Sequence, residues 1–374
     1  MSSELPRWIT VGLIPLVNLM LAFLVSGIVI LIIGEDPIEA VGIMIWGAFG
    51  WGEGIGYTLY YTTNFIFTGL AFAIAFHCGL FNIGGEGQAY LGGLGVAIVC
   101  LYLDFLPLPL LIVLAILFSA SFGAAWAFIP AYLQATRGSH IVITTIMFNF
   151  IGAALMVYLL VNHMSPTGTM APETRSFVEG ARLPFMHTAA GWFGIELSKS
   201  PLNLSFIWAL ICSFLIWVLI WRTKLGYEIR TNGINQAAAI YAGMSPARLT
   251  IIAMSLSGGL AGFLAVNEVM GVQHRLLLDF TAGYGFVGIA VALMGRSHPV
   301  GIVFAALLFG ALYQGGAELS FEKPAITREM IIVIQGLVIL FAGALEYMVK
   351  PHIAAFYARM RAASAPAATP AKGA

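Results

Sequence analysis

The sequence predicts an all-α integral membrane protein of about ten transmembrane helices (range 8–10), with broken or re-entrant segments and a two-half pseudo-repeat. Three observations carry that prediction. The 374 residues are 60% hydrophobic and 9% charged, against about 25% charged in a soluble domain, and the mean hydropathy is +0.93. Uncharged runs extend far past the roughly ten residues of a barrel strand, so the spans are helices. The third is the stretch Phe65–Val96, which starts apolar, breaks into Phe81-Asn82-Ile83-Gly84-Gly85-Glu86-Gly87-Gln88 and resumes rich in small residues. A break of this kind is either a polar turn at the membrane surface or an interior element that carries polar groups to depth.

The 42 glycines fit close helix packing. A formal net charge of zero gives no sign of nucleic acid or of a broadly anionic partner. Cys78, Cys100 and Cys212 lie in apolar surroundings without C-x-x-C spacing and read as small buried hydrophobes.

Trp8–Gly34 has no charge and suits a retained first span better than a cleaved signal core. Ala40–Trp51 is too short to cross and reads as an amphipathic or re-entrant piece on the outer face. The second span is expected over Thr62–Cys78 and the third over Gln88–Leu103. The fourth follows over Leu110–Leu133 and the fifth over Ile141–Val161. Asn162–Pro201 is the longest polar interlude, an external loop able to touch another protein or a packed cap.

Leu204–Trp221 is the sixth span. It is followed by the basic loop Arg222–Arg230 and a helical-looking Asn235–Ala242. Ser245 before Pro246 is an N-cap and first-turn pair that starts the seventh span. The next loop holds Glu268, His274, Arg275 and Asp279. Gly283–Gly295 and Val300–Gly315 are short apolar pieces, and an outer loop Glu318–Arg328 precedes the last span, Met330–Val349.

Residues 1–350 thus form one polytopic domain, and 351–374 an Ala/Pro-rich disordered tail. With the N-terminus inside, eleven Lys and Arg fall on the inner side and six on the outer, so both termini are expected in the cytoplasm. Phe81–Gly87 and Phe280–Phe286 echo each other, each setting glycines just past a phenylalanine.

No soluble-enzyme chemistry stands out. The seven histidines have no H-x-x-x-H or H-E-x-x-H spacing, and there is no Walker loop and no G-x-S-x-G, so neither a catalytic nor a metal residue is assigned. The informative groups are polar residues near the membrane interior. Glu86 facing lipid would be costly and should face a cavity or find a donor. Asn82 and Gln88 offer donor and acceptor pairs suited to a neutral hydrogen-bonding solute, and Asn267 with Glu268 is a second candidate set. The plainer alternative for each is helix-to-helix hydrogen bonding. Gln236–Gly243 is either a mechanical handle for a cytoplasmic partner or an ordinary part of a topological loop.

GLFNIGGEGQAYLGG (Gly79–Gly93), NGINQAAAIYAGMSPARLTIIAMSLSGGLAG (Asn232–Gly262) and GYGFVGIAVALMGRSHPVG (Gly283–Gly301) occur in that order. The chain resembles the permease subunits of bacterial ATP-binding-cassette importers in the ribose, branched-chain amino acid and nucleoside group, nucleoside-type branch. That resemblance spans about residues 10–350. It implies a bacterial inner-membrane subunit without catalysis or cofactor of its own, importing a nucleoside or purine-like solute, with a simple sugar as the alternative. An ion-coupled secondary transporter working alone is a further alternative.

The resemblance also implies partners: a cytoplasmic ATPase that handles ATP and Mg, a second permease or second copy, and an extracytoplasmic solute-binding protein. Gln236, Ala237, Ala238, Ala239, Ile240, Tyr241, Ala242 and Gly243 would form the coupling helix. Asn82 and Glu86 would lie near the translocation path. Gly85 stands where Ala is common in the branch, and the Asn162–Pro201 insert is long, which leaves substrate and partner open.

Overall fold

The computed structural model describes Pro6, residues 13–168, 171–327 and 329–337, Leu340, Ile353 and Ala355. Among these residues are thirteen α-helices between Ile14 and Glu322, a further helical stretch over 329–337 and no strand, with isolated antiparallel bridges at Glu173–Leu277 and Phe185–Asn203. Six helices are long and apolar enough to cross a membrane, seven if one bent pair is a single span. Two further apolar helices, of 18 and 11 residues, begin at broken segments and fall short of that test. The described chain is thus loosely consistent with the expected 8–10 spans. Most of Met330–Val349 and nearly all of the expected tail lie outside the described residues.

The chain divides into two compact units, 1–42 with 320–374, and 43–319. In the first, α1 (Ile14–Ile33) ends at Gly34 in the left-handed region (φ 97°). A bend of 116° leads to α2 (Pro37–Phe49), which continues into the second unit. The expected piece Ala40–Trp51 falls largely in α2, the second arm of a bent apolar pair that is either a broken span or a re-entrant loop. Lys323 pairs with Glu39 at 2.8 Å and Glu35 at 3.3 Å, and these carboxylates hold its ammonium above its ordinary range.

The second unit is built around α3 (Gly52–His77), whose apolar window is 83% buried. This helix starts ten residues before the expected Thr62. The sequence Gly-Tyr-Thr-rich there scores as polar, yet Thr62 and Thr63 donate to carbonyls four residues back, at 2.7 and 2.8 Å, so their hydroxyls carry no unmet hydrogen bond. After a short break come α4 (Gly85–Tyr102), α5 (Leu108–Arg137) and α6 (Ile141–Leu159), the last extended by a π-helical turn to Met164.

Windows of α5 and α6 are only 22% and 28% buried. Exposed Val113, Leu117, Phe128, Met147 and Phe150 are the apolar outer rows that a lipid environment accepts. On the inner side of α5, Leu111, Ala115, Ser119, Gly123 and Ala127 recur every fourth residue and are fully buried or nearly so.

The 162–201 interlude is in large part a packed cap. Thr174 N–H donates to Leu276 O at 3.0 Å, Phe177 N–H to His274 O at 2.7 Å and Leu183 N–H to Met270 O at 3.1 Å. Arg275 pairs with Glu173 and Arg175 with Asp104, at 2.8 and 2.9 Å. Beyond the one-and-a-half-turn α7 (Met186–Gly191), Trp192, Phe193 and Ile195 are exposed.

α8 (Ser205–Arg222) leads into α9 (Lys224–Ile234), where the basic loop was expected. The Thr223 hydroxyl caps α9 by accepting from Gly226 N–H at 3.1 Å. α10 (Gln236–Tyr241) and α11 (Pro246–Gly262) follow. The span continues through a π-helix, Val266–Gln273, so Glu268 lies inside it rather than in a loop. α12 (Tyr284–Met294) and α13 (Pro299–Glu322) follow, and residues 329–337 are again helical. α13 runs unbroken through Glu318 to Glu322, where an outer loop was expected; ahead of that stretch Gly310 and Gly315 pack closely on α3 and Met44.

α5 and α11 meet backbone to backbone. Ser119 Oγ donates to Gly262 O at 2.5 Å, and a Cβ on Gly258 would strike Gly123 O and the Ala127 methyl. Lipid tails offer no hydrophobic advantage to helix association, so close van der Waals approach of small residues is what holds such a seam.

Candidate functional site

Two polar clusters occupy the interior of the second unit. The first is the break between α3 and α4. Asn82 Nδ2 donates to Gln88 Oε1 at 2.9 Å and to Ser257 Oγ at 2.8 Å, while Asn82 Oδ1 accepts from Gly84 N–H at 2.9 Å and Gln88 Nε2 at 3.1 Å. Ser257 in turn donates to Ala71 O at 2.6 Å. Asn149 of α6 closes the other side, accepting from Gly87 N–H at 2.8 Å and donating to Ile83 O at 2.9 Å. Every backbone group freed by the break that these contacts reach is paired inside the protein, the condition for irregular backbone away from water.

Glu86 sits in the first turn of α4 and reaches across to the start of α12. Its Oε1 accepts from Gly283 N–H and its Oε2 from Gly285 N–H, both at 2.9 Å. One carboxylate thus serves the positive ends of two helices and fills two otherwise unpaired amides. A Cβ on Gly285 would lie 2.5 Å from Glu86 N, so only glycine permits the approach. The two echoed glycine segments, far apart in sequence, are therefore in contact. Next to them, Tyr90 OH donates to Asp279 at 2.7 Å.

The second cluster is at the π-helix. Glu268 Oε1 accepts from Tyr60 OH and Asn64 Nδ2, each at 2.5 Å. Asn267 Nδ2 donates to Asn64 Oδ1 at 2.8 Å, and Asn267 Oδ1 accepts from Asn203 Nδ2 at 2.8 Å and Ser205 Oγ at 2.7 Å. Asn267 and Glu268 are buried. Beside this cluster Tyr61, Phe65, Tyr284 and Tyr313 form a nest of rings with centroids 5.0–6.4 Å apart.

α10 is the opposite kind of element. Asn235 caps it, its Oδ1 accepting from Ala238 N–H at 3.1 Å, and Gly243 (φ 78°) turns the chain out of it. Only Ala239 is buried; Gln236, Ala237, Ala238, Ile240, Tyr241, Ala242 and Gly243 are exposed, Tyr241 at 96%.

The family model described as "Branched-chain amino acid transport system / permease component" matches residues 54–343. The chain belongs to that family. Among its relatives, the nucleoside ABC transporter permease protein NupB of Lactococcus lactis is 33% identical over 90% of this chain and 92% of its own length. The guanosine permease protein NupP of Bacillus subtilis is 33% identical over 89% and 93%. The glucose permease protein TsgB13 of Haloferax volcanii is 32% identical over 97% and 94%. No solved structure matches.

In this permease the structure joins Asn82 to Gln88, Glu86 to α12, and Asn267 with Glu268 to α3, as two separate networks. Tyr60, Asn64, Asn203, Ser205 and Ser257 complete those networks, and the sequence named none of them as a partner of the candidate residues. A lone Asn or Ser in an apolar helix names no partner, and these partners are remote in the chain. The buried amide of Asn64, inside an otherwise aromatic and aliphatic run, was the one available signal.

Proposed function

We propose that this permease is the membrane-spanning subunit of an ATP-driven importer of nucleosides or purine-like solutes in a bacterial inner membrane. α10 carries the reading. A capped helix that exposes Ile240 and Tyr241 and buries only Ala239 is a ready contact for a cytoplasmic ATPase, which would supply the ATP and Mg chemistry. The excess of Lys and Arg around Arg222–Arg248 supports placing α10 and both termini in the cytoplasm. A second copy or a related permease would complete the passage, and an extracytoplasmic binding protein would deliver solute.

Asn82, Glu86 and Gln88 hold the α3–α4 break, and Asn267 with Glu268 holds the π-helix. In this reading they fix the walls of the path, and nucleotide state and solute access bias the same two-state element. The relatives named for nucleosides and guanosine support the purine-like cargo. The glucose permease relative, which covers nearly the whole chain, supports a sugar as the second reading.

The test is uptake of labelled guanosine and labelled glucose into proteoliposomes holding the chain with its ATPase, partner permease and binding protein. ATP-dependent guanosine uptake is expected. ATP-dependent glucose uptake alone would select the sugar, and uptake by the isolated chain without ATP would overturn the importer reading.

A further inference from the structure

The segment 276–283 carries a carboxylate to a depth where lipid accepts none, and neither interior network uses it. One end of the segment belongs to the 162–201 cap, where Leu276 O accepts from Thr174 N–H at 3.0 Å. The other end is Gly283, whose N–H reaches Glu86. The ring of Tyr284, next in sequence, packs edge-on against Phe65 with centroids 5.5 Å apart. Phe65 lies near the middle of α3, about 20 Å along the axis from Gly52 and about 18 Å from His77 at a rise of about 1.5 Å per residue. The segment therefore descends from the cap to about the level of mid-span.

Asp279 stands within this descent. Its Oδ1 accepts from Tyr90 OH at 2.7 Å, and Tyr90 lies one turn beyond Glu86 on α4, about 6 Å along the axis. The carboxylate is thus within about 10 Å of mid-span, inside a hydrocarbon layer about 30 Å thick. Tyr90 is only 6% exposed, but Asp279 is exposed. Among the described residues no basic side chain pairs with Asp279, and its Oδ2 accepts no hydrogen bond. Asp279, Ala282 and Gly283 adopt φ of 55°, 44° and 79°, three left-handed residues in five. Strain of this kind at an alanine persists where the surroundings over-determine it, as at ligand clamps. A carboxylate facing lipid at this depth is expensive, and an apolar wall closed over Oδ2 would strand an ionised oxygen. A water-filled passage is the surrounding that suits it.

We infer, building on the reading of this chain as an importer of nucleosides or sugars, that Asp279 binds the solute in transit. Its carboxylate accepts hydrogen bonds from two neighbouring hydroxyl groups, as on a ribose ring, and Tyr90 holds it in place. A carboxylate offers two oxygens and about four acceptor positions, of which Tyr90 uses one. Hydrogen bonds from hydroxyls to an ionised acceptor are short and strong, and they require no charge on the solute. A site of this kind rejects an analogue lacking one hydroxyl, because an acceptor is then left unmatched. Ribose and glucose both present adjacent hydroxyls, so the same carboxylate serves either cargo.

The test compares uptake of guanosine and 2′-deoxyguanosine by the assembled transporter in proteoliposomes. The binding protein is the same throughout, so a changed preference belongs to the permease. Asp279→Gly, which keeps the left-handed backbone without strain, should lower kcat/KM for guanosine at least tenfold and shrink the preference for guanosine at least fivefold. Asp279→Asn should fall between Asp279→Gly and wild type, and Tyr90→Phe should raise KM about threefold. Equal losses for both nucleosides, or an unchanged preference, would overturn the assignment. Access is read separately. In Asp279→Cys the thiol should react with a membrane-impermeant methanethiosulfonate, against a background of buried Cys78, Cys100 and Cys212, and guanosine should slow that reaction at least threefold. No reaction would place position 279 against lipid or a neighbouring subunit and overturn the assignment as well. If the wild type imports glucose alone, glucose and 2-deoxyglucose form the pair. A wild type without ATP-dependent uptake would overturn the importer reading and this site with it, a result distinct from a working transporter indifferent to position 279.

Discussion

Replacing Glu86 by Ala removes the acceptor for one buried and one half-buried amide at once. Gly283 N–H and Gly285 N–H each lose a 2.9 Å bond to the carboxylate, and Gly285 is too close to the α4 backbone for water to enter without separation. A buried donor left unpaired costs about 1–3 kcal/mol, and the half-buried Gly283 amide adds less, so Glu86→Ala should lower stability by about 1–4 kcal/mol. Glu86→Gln keeps one acceptor oxygen and should cost about half as much, giving the order wild type, Gln, Ala. Thermal unfolding of the detergent-purified chain reads this directly, and uptake by the assembled transporter should fall in the same order. An alanine variant as stable as wild type but altered in uptake kinetics would refute the reasoning, since the carboxylate would then act on solute and not on α12.

Three other outcomes follow from the same contacts. Gly258→Leu drives a side chain into Gly123 O and Ala127, where backbone cannot yield, and should cost about 3 kcal/mol or more, read as loss of folded protein in detergent. Ala238→Asp lies exposed in the first turn of α10, so stability should stay within about 0.5 kcal/mol while solute-stimulated ATP hydrolysis and uptake fall; unchanged uptake would separate α10 from coupling. Burial, with a smaller push from Arg182, holds the His274 ring below its ordinary value of about 6.5, so the unfolded chain binds the proton first as pH falls. Stability from this group is therefore complete above about pH 6.5 and declines below it, until the folded ring also protonates. His274→Asn, which tolerates the left-handed backbone at that position, should flatten the decline in unfolding midpoint between pH 7 and 5.

The break at Phe81–Gln88 was legible because an Asn, a Glu and a Gln crowd among glycines where lipid tolerates none of them unpaired. The Ser245 cap was legible as well, and its hydroxyl accepts from Arg248 N–H at 3.4 Å. What Glu86 binds was not, since its partners are backbone amides near position 284 and amides leave no mark in a sequence. The early start of α3 was hidden for a related reason. Glu53, Tyr57 and Tyr60 lower the hydropathy ahead of Thr62, yet Tyr60 is spent on Glu268 in the folded interior. The Arg222–Arg230 segment looked like a loop because its charge suggested water, whereas Thr223 and the Lys224–Glu228 pair let it wind as α9. The glycine echo was visible; that its two copies touch required the fold.

A helix anchored by one alanine has almost no side-chain grip on its surroundings. Whatever load arrives at α10 must leave through its two ends, one into α9 and one into α11. The first exit lies against the foot of α3, where Asn232 holds Cys78; the second runs along the seam with α5 to the turn bearing Asn267 and Glu268. A displacement of α10 by a few atoms would thus arrive at both interior networks through stiff rods, with little slack along the way to absorb it.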